Sequence, residues 1–164
     1  MSIVFDPHLA LRTLNAHEVS FVVIGGFASV LWGSPSFTFD LDICYERTAG
    51  NHEALASALR RLEASLRGAP AGLPFILDAK TLAMGDSFTF ETAAGGVDCL
   101  GTPSGTNGYG DLVANSTEVD LGDELRVRIV SIDDLIRMKR AAARSKDVGE
   151  LKILEAIKEE LAKE

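Results

Sequence analysis

The sequence predicts a domain of the α+β (α/β) class, with one mixed β-sheet flanked by helices and further helices at its C-terminal end. Three observations lead there. Short β-rich stretches recur between residues 20 and 130, some continuously apolar and some alternating. Stretches with helical spacing lie between several of them, and such interleaving fits a sheet covered by helices. After residue 130 the spacing is helical alone. With 164 residues, 46% hydrophobic and 24% charged, the chain has the size and composition of one folded domain. Its core is expected at residues 20–130 and a helical part at 131–164.

Residues 7–16 space Leu9, Leu11 and Leu14 as a helix, and Pro7 after Asp6 suits its start. Residues 20–24 (SFVVI) read as a buried strand. Gly25-Gly26 ends it, and residues 27–32 follow as a short buried helix. Residues 39–45 (FDLDICY) alternate as a strand, with Phe39 on its packed face. Leu55, Leu59, Leu62 and Leu66 make residues 51–66 an amphipathic helix. Residues 67–74 (RGAPAGLP) and 101–110 (GTPSGTNGYG) are surface connections, marked by Gly and Pro. Between them, residues 87–92 (SFTFET) and 96–100 (GVDCL) form two strands of a hairpin. Residues 124–130 form a further strand. Residues 131–143 and 147–161 are helices, the first opened by a capping pattern, Ser131 with Asp134 three residues on.

Composition narrows the function. A net charge of −8 repels the phosphates of long nucleic acids unless a local basic patch intervenes. No DNA-reading motif is present. A nucleotide chelated by a metal stays compatible, because the cation screens its phosphates. No apolar run reaches the length of a membrane span, and the first residues do not read as a secretory signal. Two cysteines, Cys44 and Cys99, outside any CxxC pair, fit a reduced, cytoplasmic setting.

Asp40 and Asp42 are the first candidates for chemistry. Two apart on a strand, their carboxylates share one face and repel each other. A divalent cation removes that repulsion, and Mg²⁺ completes such a site with water and substrate phosphate. Asp98 sits between Val97 and Cys99 in an apolar strand, where a carboxylate is costly unless it serves a site or is paired. If the two strands are neighbours, three carboxylates surround one point, a geometry suited to two metal ions and in-line phosphoryl transfer. Gly25 and Gly26, between strand and helix, allow a ligand to approach the backbone, and the helix N-terminus suits phosphate. Lys139 lies mid-way on the inner stripe defined by Ile132, Leu135, Ile136 and Ala143. A lysine there needs a partner, either a triphosphate or a carboxylate, or else snorkels to the rim. Each piece also has a plain reading as solvated strand face, tight turn or snorkelling lysine.

Together the ordered set Ile24-Gly25-Gly26-Phe27-Ala28, Thr38-Phe39-Asp40-Leu41-Asp42-Ile43 and Val97-Asp98-Cys99 resembles the nucleotidyltransferase superfamily, whose fold is that of the polymerase-beta-like enzymes. The stretch from Asp134 through Lys139 to Arg144-Ser145-Lys146-Asp147 is similar to the corresponding segment of the AbiEii/MenT-like branch, which includes toxins of toxin–antitoxin systems. The resemblance implies the nucleotidyltransferase fold and transfer of an NMP from an NTP to a hydroxyl acceptor on RNA such as tRNA, on a protein or on a small molecule. It implies Mg²⁺ or Mn²⁺ bound by Asp40, Asp42 and Asp98, with Asp98 helping to activate the acceptor. Gly25, Gly26 and Lys139 would bind the nucleotide, and Asp147 would orient Lys139 or cap the last helix. The toxins of that branch imply an antitoxin partner. One departure stands out: where many relatives carry arginine before the first Asp, this chain has Ser36.

Two other classes of function remain compatible. One is a non-catalytic module that recognises a nucleotide or a protein on the same fold; the other is a structural domain that binds neither metal nor nucleotide. His8, His17 and His52 lack zinc-ligand spacing. Cys44, Cys99, Trp32, Phe21, Phe27 and Phe39 are expected to fill the core. The basic run Arg137, Lys139, Arg140, Arg144 and Lys146 is the local patch able to meet RNA.

Overall fold

The computed structural model describes residues 4–70, 72–142 and 147–164. The chain opens with α1 (Pro7–Ala16), capped by the Asp6 side chain, which accepts from the Leu9 N–H at 3.1 Å. β1 (Phe21–Ile24) is buried throughout and runs directly into α2 (Gly25–Trp32). β2 (Asp40–Tyr45) is followed by α3 (Ala49–Arg61), β3 (Ser65–Leu66) and α4 (Ala79–Met84). The hairpin β4 (Ser87–Thr92) and β5 (Gly95–Leu100) leads to α5 (Tyr109–Val113) and to β6 (Thr117–Asp120) and β7 (Arg126–Ile129). Helices α6 (Ile132–Ala142) and α7 (Asp147–Ala162) close the chain. The expected helix end at Ala143, Arg144 and Lys146 of the basic run, and Ser145 of the segment behind the family resemblance lie outside the described residues.

The strands form one mixed sheet in the order β3-β4-β5-β2-β1-β7-β6. β2 pairs parallel with β5 and antiparallel with β1, and β1 pairs parallel with β7. Alternation along the central strands splits their faces. Leu41, Ile43, Val97, Cys99 and Phe90 are fully buried in the core. The ring contact between Tyr45 and His52 brings α3 over that same face. The other face carries Asp40, Asp42 and Asp98. α2 packs on β1, β2 and α6, so this face is covered toward β1, while Thr89 and Glu91 of β4 are exposed.

Several expectations are corrected. The helix expected to Leu66 stops at Arg61, because Glu63 takes φ +57° and turns the chain into β3. Leucine spacing persisted past a break that no Gly or Pro announces. The strand expected at 124–130 begins at Arg126; Asp123 and Glu124 both have positive φ in the turn from β6. Phe39 precedes β2 and is 76% exposed, not core; the strand begins one residue later, so the alternation does not reach it. The cap at Ser131 is present, with the Asp134 N–H donating to Ser131 Oγ at 3.1 Å.

Candidate active site

β5 lies in register beside β2, with Asp42 opposite Asp98 and Asp40 opposite Gly96. The adjacency assumed in the sequence reading is therefore real. On the other side of β2, Ile24 of β1 is opposite Asp42, which brings the first turn of α2 over that carboxyl group. Gly25 has φ +67°, and a Cβ there would collide with Asp42 Oδ2. Glycine alone supplies both the left-handed backbone and the room.

The Asp42 carboxyl is pushed up to about 7. Burial is the largest cause; then come the charge of Asp98, a hydrogen bond from protonated Asp42 to Asp98, and the charge of Asp40, while Lys139 pulls the other way. The Asp98 carboxyl is also raised, by burial, against the opposing Arg67 guanidinium. Two like carboxyl groups this close share a proton rather than ionise together.

Lys139 donates to Asp147 Oδ1 at 3.2 Å, with 19% of its side chain exposed. This is the carboxylate partner that its position on α6 calls for. Lys139 also lines a cavity of about 420 Å³ with Gly25, Gly26, Asp42, Ser104 and Met138. The expected nucleotide-binding residues thus meet one of the three carboxylates in a single cavity. The other described members of the basic run are ion-paired within the protein. Arg137 lies 3.1 Å from Asp111 and 3.0 Å from Asp134, and Arg140 lies 2.7 Å from Glu155. Both arginines are paired yet remain partly exposed at the surface.

Sequence reasoning missed Arg67. It follows β3, its backbone N–H donates to Thr89 O at 2.9 Å, and its side chain reaches across β4 to the acidic face. Nη2 is 2.9 Å from Asp98 Oδ1 and 3.7 Å from Asp40 Oδ1, while Nε donates to Glu91 Oε1 at 2.7 Å. The signal was Gly96. A glycine inside a strand often marks a close approach, and a Cβ on Gly96 would run into Asp40 Oδ1 and Arg67 Nη2. Ser36, where the resemblance expects arginine, donates to Glu150 Oε2 at 2.7 Å and so ties the 33–39 loop to α7. In that loop Phe37 is 91% exposed and Phe39, next to Asp40 in the chain, is 76% exposed.

Among the described residues, no three His, Cys, Asp or Glu side chains are already gathered as a cage for a metal ion. The residues nevertheless fit one. The donors are hard carboxylate oxygens, the type Mg²⁺ takes. Asp42 and Asp98 are neighbours, and burial and nearby carboxylate charge raise both carboxyls against the pull of Lys139 and Arg67. Burial pushes both thiols up, Cys44 to about 12, so neither cysteine supplies a thiolate.

Two solved structures share this arrangement of strands and helices. The lincosamide antibiotic adenylyltransferase LnuA, solved with lincomycin bound, is 14% identical with a TM-score of 0.60, over 95% of this chain and 99% of that one. A Thermotoga maritima protein, TM1012, described as a nucleotidyltransferase, is 13% identical with a TM-score of 0.51, over 96% and 91% of the two chains. The chain has the nucleotidyltransferase fold. No family model matches the sequence, and no curated protein matches it. No helix among the described residues is long and apolar enough to cross a membrane.

Proposed function

We propose that the chain is a Mg²⁺-dependent nucleotidyltransferase that moves an NMP from an NTP to a hydroxyl acceptor. One observation carries this reading. Asp42 and Asp98 lie opposite each other on adjacent parallel strands, and Asp42 lines a cavity together with Gly25, Gly26 and Lys139. Asp40, Asp42 and Asp98 would hold the metal, which when bound neutralises the triphosphate and makes the attacking hydroxyl more acidic. The backbone at Gly25 and Gly26 lets phosphate approach the start of α2. Lys139, aligned by Asp147, offsets phosphate charge as pyrophosphate leaves. Asp98, on the open half of the sheet, is positioned to accept the acceptor's proton.

A small hydroxylated molecule is the favoured acceptor. The net charge of −8 and the internal pairing of Arg137 and Arg140 disfavour an extended RNA, and LnuA is an adenylyltransferase bound to lincomycin. The AbiEii/MenT-like branch, with its toxin role and antitoxin partner, rests on the segment 134–147, part of which lies outside the described residues. A non-catalytic nucleotide-binding module is the second reading, favoured by Ser36 in place of arginine. Turnover separates the two. Incubation with α-labelled NTPs, Mg²⁺ and separate pools of hydroxylated small molecules, tRNA and proteins should label one pool and release pyrophosphate, and Asp98→Asn should abolish both. Nucleotide binding without label in any pool would favour the module.

A further inference from the structure

The Arg67 guanidinium is the cation that now sits on the acidic face. Its contacts divide into two sets. Nε to Glu91 Oε1 at 2.7 Å and Nη2 to Phe90 O at 3.1 Å tie it to β4. Nη2 to Asp98 at 2.9 Å and to Asp40 at 3.7 Å tie it to the carboxylates assigned to the metal. Room for the guanidinium is built into the sheet: Gly96 is buried, lies opposite Asp40, and has no Cβ to fill the space. Arg67 and Glu91 are 30% and 48% exposed, so the head group has solvent on one side and room to turn about its Glu91 contact.

We infer that Arg67 is a resident counter-cation, bound to Asp98 and Asp40 in the metal-free protein and exchanged for a divalent ion when one binds, with Glu91 retaining the guanidinium at the rim. This rests on the proposed metal site. An arginine stays charged under all working conditions, so the exchange is a competition of two cations for the same oxygens and not a protonation event. A partly exposed ion pair is a weak competitor, which lets the metal win while lowering its apparent affinity. In the metal-free state Arg67 Nη2 occupies the space beside Asp98 and Asp40. That accounts for three neighbouring carboxylates that do not already converge on one point. It also makes Arg67 a positioning residue, acting through Asp98 and Asp40.

The test uses Mn²⁺ alone, with free Mn²⁺ counted by electron paramagnetic resonance and no nucleotide present. Arg67→Gln should bind Mn²⁺ about two- to fivefold more tightly than wild type, the scale of one lost weak ion-pair competitor, with Arg67→Lys between them. In the wild-type protein, saturation with diamagnetic Mg²⁺ should shift the Arg67 Nε–H resonance and leave that of Arg12 in place. This second reading stands even if the Gln variant folds poorly. Equal or weaker Mn²⁺ affinity in Arg67→Gln, or an Arg67 resonance that ignores Mg²⁺, would overturn the exchange and leave the metal site intact. Absence of Mn²⁺ binding in both wild type and variant would overturn the metal site and the exchange together.

Discussion

Replacing Asp42 by asparagine should stabilise the metal-free protein, and more so at high pH. The folded-state carboxyl is pushed up to about 7 from an ordinary 3.8, first by burial and then by Asp98. Such a group binds more protons folded than unfolded across that window, so stability falls as pH rises from 3.8 to about 7. Asparagine keeps a donor toward Asp98 and has nothing to ionise. Between pH 5 and 7 the wild type therefore loses up to about 3 kcal/mol that the variant keeps, two units at about 1.4 kcal/mol each. The assay is the difference in unfolding free energy between variant and wild type, from urea titrations in EDTA at pH 5 and 8. Taking the difference cancels the groups that do not interact with Asp42. The advantage of the variant should widen by about 1–3 kcal/mol from pH 5 to pH 8, or about 2–12 °C in melting temperature for a domain of this size. Saturating Mg²⁺ should reverse the order by stabilising only the wild type. A difference that stays flat with pH, or an Asp42→Asn protein that loses ground as pH rises, would show that Asp42 is a comfortably ionised carboxylate and refute the reasoning.

Three further outcomes are expected. Gly96→Ala places a methyl against Asp40 and Arg67 and should cost about 1–3 kcal/mol in urea unfolding, the usual range for overpacking. Lys139→Ala should weaken NTP binding by about 10- to 100-fold, the value of one charge-assisted hydrogen bond, while Mn²⁺ affinity stays within twofold by the same resonance assay; unchanged NTP binding would remove Lys139 from the phosphate site. Phe37→Ala/Phe39→Ala should leave stability within about 0.5 kcal/mol, since the two rings are 91% and 76% exposed. The same variant should raise KM for the acceptor with kcat nearly unchanged, and a normal KM would show that the rings lie off the acceptor's path.

Most of the sheet's centre could be read from the sequence because its strands carry strong, one-sided signals. FVVI at residues 21–24 is apolar throughout and is buried between two neighbours, and FDLDICY at 39–45 alternates because one face is packed and the other is acidic. The missed elements are short and weakly patterned. β3 has two residues, α4 has six with one of them buried, α5 has five, and β6 (TEVD) is mostly exposed, so none buries enough to impose a period. Asp40, Asp42 and Asp98 stood out because carboxylates inside apolar strands are costly. That Asp42 lies opposite Asp98 comes from sheet order, which no local pattern encodes. Arg67 was hidden for the opposite reason. An arginine at the head of a Gly- and Pro-rich loop looks solvated, and only the glycine across the sheet hinted that something long needed space there.

The central claim is a metal-dependent nucleotide site at Asp40, Asp42 and Asp98. It is tested most directly by calorimetric titration of a panel of NTPs, with and without Mg²⁺, into wild type and Asp40→Asn/Asp42→Asn. The wild type should bind an NTP only when Mg²⁺ is present, and the double variant, still folded, should lose that binding. Failure of the wild type to bind any NTP with Mg²⁺, or equal binding by the double variant, would contradict the assignment of these carboxylates.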